Sequence, residues 1–153
     1  MASSTKCSSA LLLNRINDLL DLAKSNNNTL TLSNTFFSVA QVADEAVKTL
    51  EYMADQKEIV PQVTCLGEHE DSLAHTYGDG SRLSQVLVNL LSNSLKFTPK
   101  KGMIEVGIRL MNSIPIDISI YGLKEEDEKQ FEGKEVYKND FIIEVADNGE
   151  GIS

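Results

Sequence analysis

The segment 79–98 constrains the fold more than any other part of the chain, because its pattern predicts one long amphipathic helix. Asp79 is a favourable N-cap, so the helix is predicted to begin there and to run to about Phe97. At 153 residues the chain is long enough to bury the apolar face of this helix in one compact domain. That face is predicted to consist of Leu83, Val86, Leu87, Leu90, Leu91 and Leu95.

The same helix carries a second stripe, made of polar and aromatic side chains. Such a stripe ordinarily indicates a hydrated surface, but its closeness to the apolar face also fits the edge of a groove between the helix and a sheet. Amide oxygens suit Mg²⁺, a lysine can meet a phosphate as a point charge, and an aromatic ring can stack on a base. Spacings of i, i+4, i+7 and i+8 define the stripe: Asn89, Asn93, Lys96 and Phe97.

A second candidate segment, 147–151, follows an alternating apolar strand predicted over 141–145. Asp147 offers a carboxylate that can accept a hydrogen bond from an exocyclic amine such as that of adenine. Gly149 and Gly151 allow a positive φ and a close approach of the backbone to a ligand. Taken alone, this D-x-G-x-G pattern fits an ordinary turn as well as it fits a binding loop.

The rest of the chain predicts alternating helices and strands. Ser38 and Gln41 form a capping-box pattern that opens a further helix, and Pro61 predicts that the strand following it lies at a sheet edge. The charged stretch 124–135 predicts a solvated loop or a short helix. Strands are predicted over 59–66, 103–110 and 141–145, with a possible additional strand over 114–120.

Residues 8–24 predict an N-terminal helix with its own apolar stripe. The stripe fits a helix packed on its own domain, and it also fits the a and d positions of a coiled coil, although two heptads are too few to decide. The asparagines at 26–28 are expected to end the helix. The stripe consists of Leu12, Ile16, Leu19 and Ala23.

Composition excludes several classes of function. A formal net charge of −9 argues against a nucleic-acid-binding surface, although a single nucleotide needs only local donors. Cys7 and Cys65 lack the spacing of a disulfide framework or a zinc site, which favours a reducing, cytoplasmic compartment. The chain has no apolar run of about 18 residues, so the sequence predicts no membrane span.

Together, and in this order, the two candidate segments resemble the histidine kinase branch of the GHKL ATPase superfamily. Segment 79–98 is similar to its N box, D-x-x-R-L-x-Q-x-L-x-N-L-L-x-N-x-x-K-F-T, and segment 147–151 to its first glycine box, D-x-G-x-G. Segment 11–24 is similar to the second helix of the dimerisation and phosphotransfer domain. The resemblance implies three parts: the end of a dimerisation helix at 1–27, a linker at 28–37, and the N-terminal part of the ATP-binding domain at 38–153.

The implied fold is an α/β two-layer sandwich with a mixed sheet and helices on one face, preceded by one dimerisation helix. The chain ends just past the first glycine box, so the resemblance implies a domain that is incomplete at its C-terminus. It also implies that this chain lies in the cytoplasm, as part of a parent kinase that forms a homodimer and uses ATP and Mg²⁺. Attachment of the parent to a membrane through other segments is left open. The parent would phosphorylate its own histidine and pass the phosphoryl group to a response-regulator receiver domain.

The resemblance assigns a role to each residue of the polar stripe. Asn93 matches the magnesium-binding asparagine, and Asn89 matches the asparagine that borders the phosphates. Lys96 matches the lysine that contacts phosphate, and Phe97 the aromatic position beside the adenine. Asn89 also separates the branches, because gyrase, MutL and heat-shock chaperone ATPases typically carry a glutamate base there, and an amide cannot take a proton from water.

The resemblance assigns base recognition to the glycine segment. Asp147 matches the carboxylate that reads the adenine amine, while Gly149 and Gly151 match the glycines that shape the base pocket and begin the nucleotide lid.

The phosphoaccepting histidine of the family has no match upstream of residue 11, and His69 is expected to lie in a surface loop. We therefore expect this chain alone to be inactive as a kinase and to bind adenine nucleotide weakly or undetectably. Two alternatives are a dimerising interaction module that does not use ATP and another kind of GHKL ATPase.

Overall fold

A computed structural model describes residues 31–66, 76–117, 125–129 and 136–151, together with positions 12, 16 and 119. Its elements follow the alternation of helices and strands that the sequence predicts. In chain order they are β1 (Thr35–Phe37), α1 (Val39–Thr49), α2 (Glu51–Gln56), β2 (Gln62–Leu66), β3 (Thr76–Gly78), α3 (Gly80–Phe97), β4 (Ile104–Ile116), α4 (Glu125–Glu128) and β5 (Val136–Asp147).

Within the described residues, the main sheet has three strands in the order β2-β4-β5. Strand β2 is parallel to β4, whereas β5 is antiparallel to it, so the sheet is mixed as predicted. Among the described strands β2 lies at an edge, which agrees with Pro61 just before it, because proline cannot donate to a sheet ladder. A separate two-stranded sheet pairs β1 with β3.

Helices α1 and α3 cover one face of the main sheet. Strand β4 alternates as a half-buried strand should: Ile104, Val106 and Ile108 are fully buried, whereas Glu105 and Arg109 are exposed. On the exposed face, Arg109 donates to the carboxylate of Glu144 at 2.7 Å across the β4–β5 pair. The predicted two-layer arrangement, with helices on one face, is confirmed.

The buried face of α3 is narrower than predicted. Val86 and Leu90 were expected to be buried, but they are 53% and 45% exposed. They lie to one side of the row that contacts the core, because successive helical residues rotate about 100° around the axis. The buried apolar residues of α3 are Leu87, Val88, Leu91 and Leu95, of which Val88 was not predicted.

The N-caps of both long helices form as predicted. Ser38 Oγ accepts from the backbone N–H of Gln41 at 3.3 Å, but the Gln41 side chain donates to Glu45, so only half of the capping box forms. Asp79 caps α3 by accepting from the backbone N–H of Arg82 at 3.2 Å.

Asp79 also connects the segment before β1 to the start of α3. Its carboxylate accepts from the Ser81 hydroxyl at 2.6 Å and from the backbone N–H of Ser33 at 3.0 Å. These hydrogen bonds, led by that from Ser81, hold the pKa of Asp79 below its ordinary value.

The rings of Phe36 and Tyr77 lie 5.0 Å apart across the β1–β3 pair. The last three residues of the predicted linker therefore belong to a sheet that is fixed to α3.

Strands β4 and β5 are longer than predicted. The sequence predicted a break after residue 110 and a separate strand over 114–120, but β4 runs on to Ile116 with one irregularity between Leu110 and Asn112. The two strands pair from Ile104 with Asp147 to Ile116 with Val136. Cross-strand pairing along that whole length overrides the local sequence pattern from which the break was predicted.

Most of the predicted N-terminal helix lies outside the described residues. Within it, Leu12 and Ile16 are both helical, and they are 63% and 46% exposed. His69 and His75 also lie outside the described residues. In the part of the chain that the structure describes, no helix has the length and apolar character that crossing a membrane requires.

Candidate functional site

A groove of about 540 Å³ runs between α2 and α3. Its position differs from the predicted groove between helix and sheet, because the side of α3 that faces the sheet is filled by core leucines. The α3 wall contains three of the predicted site residues, Asn89, Asn93 and Lys96, with Ser92 and Leu95 beside them. The opposite wall consists of Tyr52, Met53, Gln56 and Lys57.

The C-terminal end of α3 presents a cation and an aromatic ring side by side. Lys96 and Phe97 are both exposed, and the Lys96 ammonium lies 5.1 Å from the centre of the Phe97 ring. Phe97 does not line the groove. The four residues of the stripe therefore divide into three that line the groove and one, Phe97, that lies outside it.

Phe97 meets the glycine segment through its main chain. A side-chain Cβ at Gly149 would lie 2.9 Å from the carbonyl oxygen of Phe97 and 3.1 Å from its carbonyl carbon. The backbone N–H of Gly149 also donates to Asp147 Oδ1 at 2.9 Å, which fixes the carboxylate at the exposed end of β5. Phe97, Asp147 and Gly149 are thus brought together.

The two glycines meet different requirements. Gly151 has a φ of +75°, in the left-handed region that favours glycine, and no atom lies within 4 Å of the position its Cβ would take. Gly149 instead needs the absence of a side chain, because the Phe97 main chain occupies that space. The sequence predicted both properties without dividing them between the two positions.

Asn148 holds the glycine segment to the turn after α3. Its side-chain oxygen accepts from the backbone N–H of Met103 at 2.8 Å, and its own N–H donates to the Met103 carbonyl at 3.2 Å. A Cβ at Gly102 would lie 2.8 Å from the same side-chain oxygen and would overlap the Thr98 methyl group. These contacts hold the end of β5 against the turn between α3 and β4.

The sequence profile described as "Histidine kinase-, DNA gyrase B-, and HSP90-like ATPase" matches residues 78–153. Over 106 residues the chain is 39% identical to hybrid signal transduction histidine kinase H of Dictyostelium discoideum, covering 68% of this chain and 7% of that protein. It is 31% identical over 105 residues to histidine kinase 2 of Arabidopsis thaliana, covering 69% of this chain and 9% of that protein. The chain belongs to this ATPase family, on its histidine kinase branch.

A solved structure agrees on the fold of this histidine kinase chain. The Acinetobacter baumannii histidine kinase AdeS superposes with a TM-score of 0.51 at 23% identity, over 68% of this chain and 48% of that one. The predicted fold class is confirmed. The chain spans only a small part of the two kinases from Dictyostelium and Arabidopsis.

Two residues that the sequence analysis did not single out belong to the groove and to the glycine segment. Lys57 lines the groove opposite Lys96, and Asn148 pins the glycine segment. Asn148 could have been found, because a short amide between an aspartate and a glycine is a common turn signal. Lys57 could not, because its partners lie about 40 residues away in the sequence.

Proposed function

We propose that this chain binds Mg-ATP as part of the catalytic domain of a two-component histidine kinase. The observation that carries the proposal is the meeting of the two motifs at the end of α3. Asn89, Asn93 and Lys96 share one groove, and the next residue, Phe97, packs against Gly149. A nucleotide lying across this end would have its phosphates near the amides and its base near Asp147.

The donor set of the groove fits a magnesium–phosphate group. Asn93 is exposed and supplies a neutral amide oxygen, and Mg²⁺ takes few protein ligands when phosphate oxygens and water complete its shell. We assign Asn93 to the metal, and Lys96 and Asn89 to the phosphates. Lys96 would neutralise phosphate charge as a point charge.

The glycine segment fits recognition of the base. Asp147 accepts a hydrogen bond from Gly149 through Oδ1 and remains exposed, so its carboxylate can also accept from an adenine amine. Phe97 is 53% exposed, and its main chain contacts Gly149 in the same region. We assign Asp147, Gly149 and Gly151 to the adenine end, with Phe97 beside it.

The identity of residue 89 favours transfer to an imidazole over hydrolysis. An asparagine cannot remove a proton from water, so Asn89 leaves the γ-phosphoryl group for another nucleophile. In the parent kinase a histidine nitrogen would form the new bond to phosphorus as the bond to the β-phosphate oxygen breaks and ADP leaves. A response-regulator receiver domain would then accept the phosphoryl group from that histidine.

Saturation-transfer NMR on ATP tests the proposal with this chain, because the method detects weak ligands. We expect a signal with magnesium that falls when EDTA is added. Asn93→Ala should remove the effect of magnesium, whereas the matched control Asn112→Ala, an exposed asparagine on β4, should leave it unchanged. An absence of signal in every condition would contradict nucleotide binding and favour the interaction-module alternative.

A further inference from the structure

Lys57 follows α2 and reaches across to the end of α3. Its Nζ donates to the Lys96 carbonyl at 2.9 Å and to the Thr98 carbonyl at 2.6 Å. The last carbonyls of a helix lack partners within the helix and carry partial negative charge. A lysine from another element therefore makes two charge-assisted hydrogen bonds at the negative end of α3.

The backbone around Lys57 is tied to the same turn. Its carbonyl accepts from the N–H of Lys101 at 2.8 Å. Glu58 forms ion pairs with Lys100 at 3.5 Å and with Lys101 at 3.7 Å. Glu58 and Lys101 have φ values of 56° and 61°, which non-glycine residues rarely adopt. Glu58 and Lys101, each with an unfavourable backbone conformation, are therefore held in contact beside the groove.

The Lys57 ammonium holds the backbone of Lys96 and is not a second cation for phosphate. Both side chains line the groove, but Lys57 Nζ is engaged by two carbonyls, one of which belongs to the fully buried Thr98. The Lys96 side chain stays exposed to the groove while its backbone is held from behind. Removing Lys57 would release the last turn of α3, which carries the phosphate-facing cation.

The Asp147 carboxylate at the base end has support of its own, whereas Phe97 shares the backbone that Lys57 holds, because it lies between Lys96 and Thr98. Asp147 pairs with Ile104 in the β4–β5 ladder, and Asn148 is bonded to Met103. None of these contacts involves Lys57. Loss of Lys57 should therefore disturb the phosphate end of the site more than the base end.

We propose that Lys57 is a positioning residue for phosphate binding, which it supports by fixing the backbone of Lys96 and Thr98 from across the groove. The inference rests on the proposed function, because it assigns the phosphate end of the nucleotide to this groove. Lys57 acts through Lys96, and its effect is confined to ligands that carry phosphates.

Titrations of the ¹⁵N-labelled chain with Mg-ATP and with adenosine, followed by protein NMR, test this inference. The variants are Lys57→Met, Lys57→Arg and the control Lys100→Met, which removes a neighbouring exposed lysine that forms an ion pair with Glu58. We expect Lys57→Met to weaken the affinity for Mg-ATP about tenfold, which is the effect of losing one charge-assisted hydrogen bond. The affinity of Lys57→Met for adenosine should fall less than about twofold. Lys57→Arg should keep most of the wild-type affinity for Mg-ATP, since a guanidinium can also bridge two carbonyls.

The outcomes separate a positioning role from a general effect on folding. If Lys57→Met weakens the affinities for ATP and adenosine equally, or weakens neither, the inference is overturned. The proposal that the wild-type chain binds nucleotide would still stand. An equal loss of ATP affinity in Lys100→Met would also overturn the inference, because any nearby lysine would then suffice. A wild-type chain that binds neither ligand would instead remove the proposed function, and the inference with it. Urea denaturation of each variant verifies that the chain remains folded.

Discussion

The α-carbon of Gly149 lies so close to the Phe97 main chain that a Cβ there would approach the Phe97 carbonyl oxygen to 2.9 Å. The two residues belong to motifs separated by about 50 positions in the sequence, and this contact joins them into one surface. Because backbone atoms cannot rotate away as a long side chain can, the contact fixes the distance between the end of α3 and the end of β5.

Gly149→Ala should destabilise the chain by about 1–3 kcal/mol, the usual cost of forcing extra atoms into a filled space. The matched control is Gly107→Ala on β4, where no atom lies within 4 Å of the new Cβ. That substitution should be neutral or slightly stabilising, because glycine is unfavourable within a strand. Urea denaturation measures both free energies of unfolding, and equal changes would contradict the close contact.

Leu91 and Leu90 are neighbours on α3 with opposite environments, 1% and 45% exposed. Leu91→Ala should cost about 2–5 kcal/mol, because it leaves a cavity in the hydrophobic core beneath the helix. Leu90→Ala should change the free energy of unfolding by about 0.5 kcal/mol or less, as most surface substitutions do. Similar losses for the two variants, measured by the same denaturation experiment, would mean that the face of α3 has been assigned wrongly.

Asp79 should make the stability of the chain depend on pH. Its pKa is lowered in the folded protein by the hydrogen bonds from Ser81, Ser33 and Arg82, so its carboxylate stabilises the fold above the ordinary aspartate pKa of about 3.9. That contribution should be lost as the pH falls through the lower folded pKa. Asp79→Asn keeps an N-cap oxygen but cannot titrate.

Denaturation of the wild type and Asp79→Asn at several pH values measures this effect. The stability advantage of the wild type should be full near neutral pH and should shrink as the solution becomes strongly acidic. A difference between the two proteins that does not change with pH would contradict the hydrogen-bond network around Asp79.

The elements that carry the site could be predicted because local chemistry determines them. Asp79 caps α3 as expected, and Asn89, Asn93 and Lys96 share a groove because helical spacing places them on one side. Pro61 correctly indicated an edge strand. In each case the relevant residues lie within a few positions of one another.

Features that depend on distant partners could not be predicted. The groove lies between two helices because α2 packs beside α3, and no periodic pattern encodes that arrangement. Strand β4 extends beyond residue 110 because β5 pairs with it throughout. Lys57 contacts carbonyls of residues 96 and 98, and a lysine at a helix end ordinarily indicates nothing more than a hydrated surface.

Ile16 should contribute to self-association of the chain. Leu12 and Ile16 lie four residues apart in helical conformation, so they share a face, and both are exposed. We expect a dimer that forms with increasing concentration in sedimentation experiments and is weakened by Ile16→Asp. The control Leu32→Asp changes an apolar residue that is also exposed but lies outside a helix. Identical sedimentation of the wild type and Ile16→Asp would exclude dimerisation through this face.

Relative affinity for ATP and GTP tests the nucleotide site most directly, because the Asp147 carboxylate can accept from the amine of adenine but not from the carbonyl oxygen at the matching position of guanine. Protein NMR titrations of the wild type should show tighter binding of Mg-ATP than of Mg-GTP. Asp147→Asn should reduce that preference roughly tenfold or more, as loss of one hydrogen bond to a charged group predicts. Asp140→Asn, an exposed carboxylate earlier in β5, should preserve the preference. A wild-type chain that binds the two nucleotides equally, or an Asp147→Asn chain that keeps the full preference for ATP, would contradict the assignment of this surface to adenine.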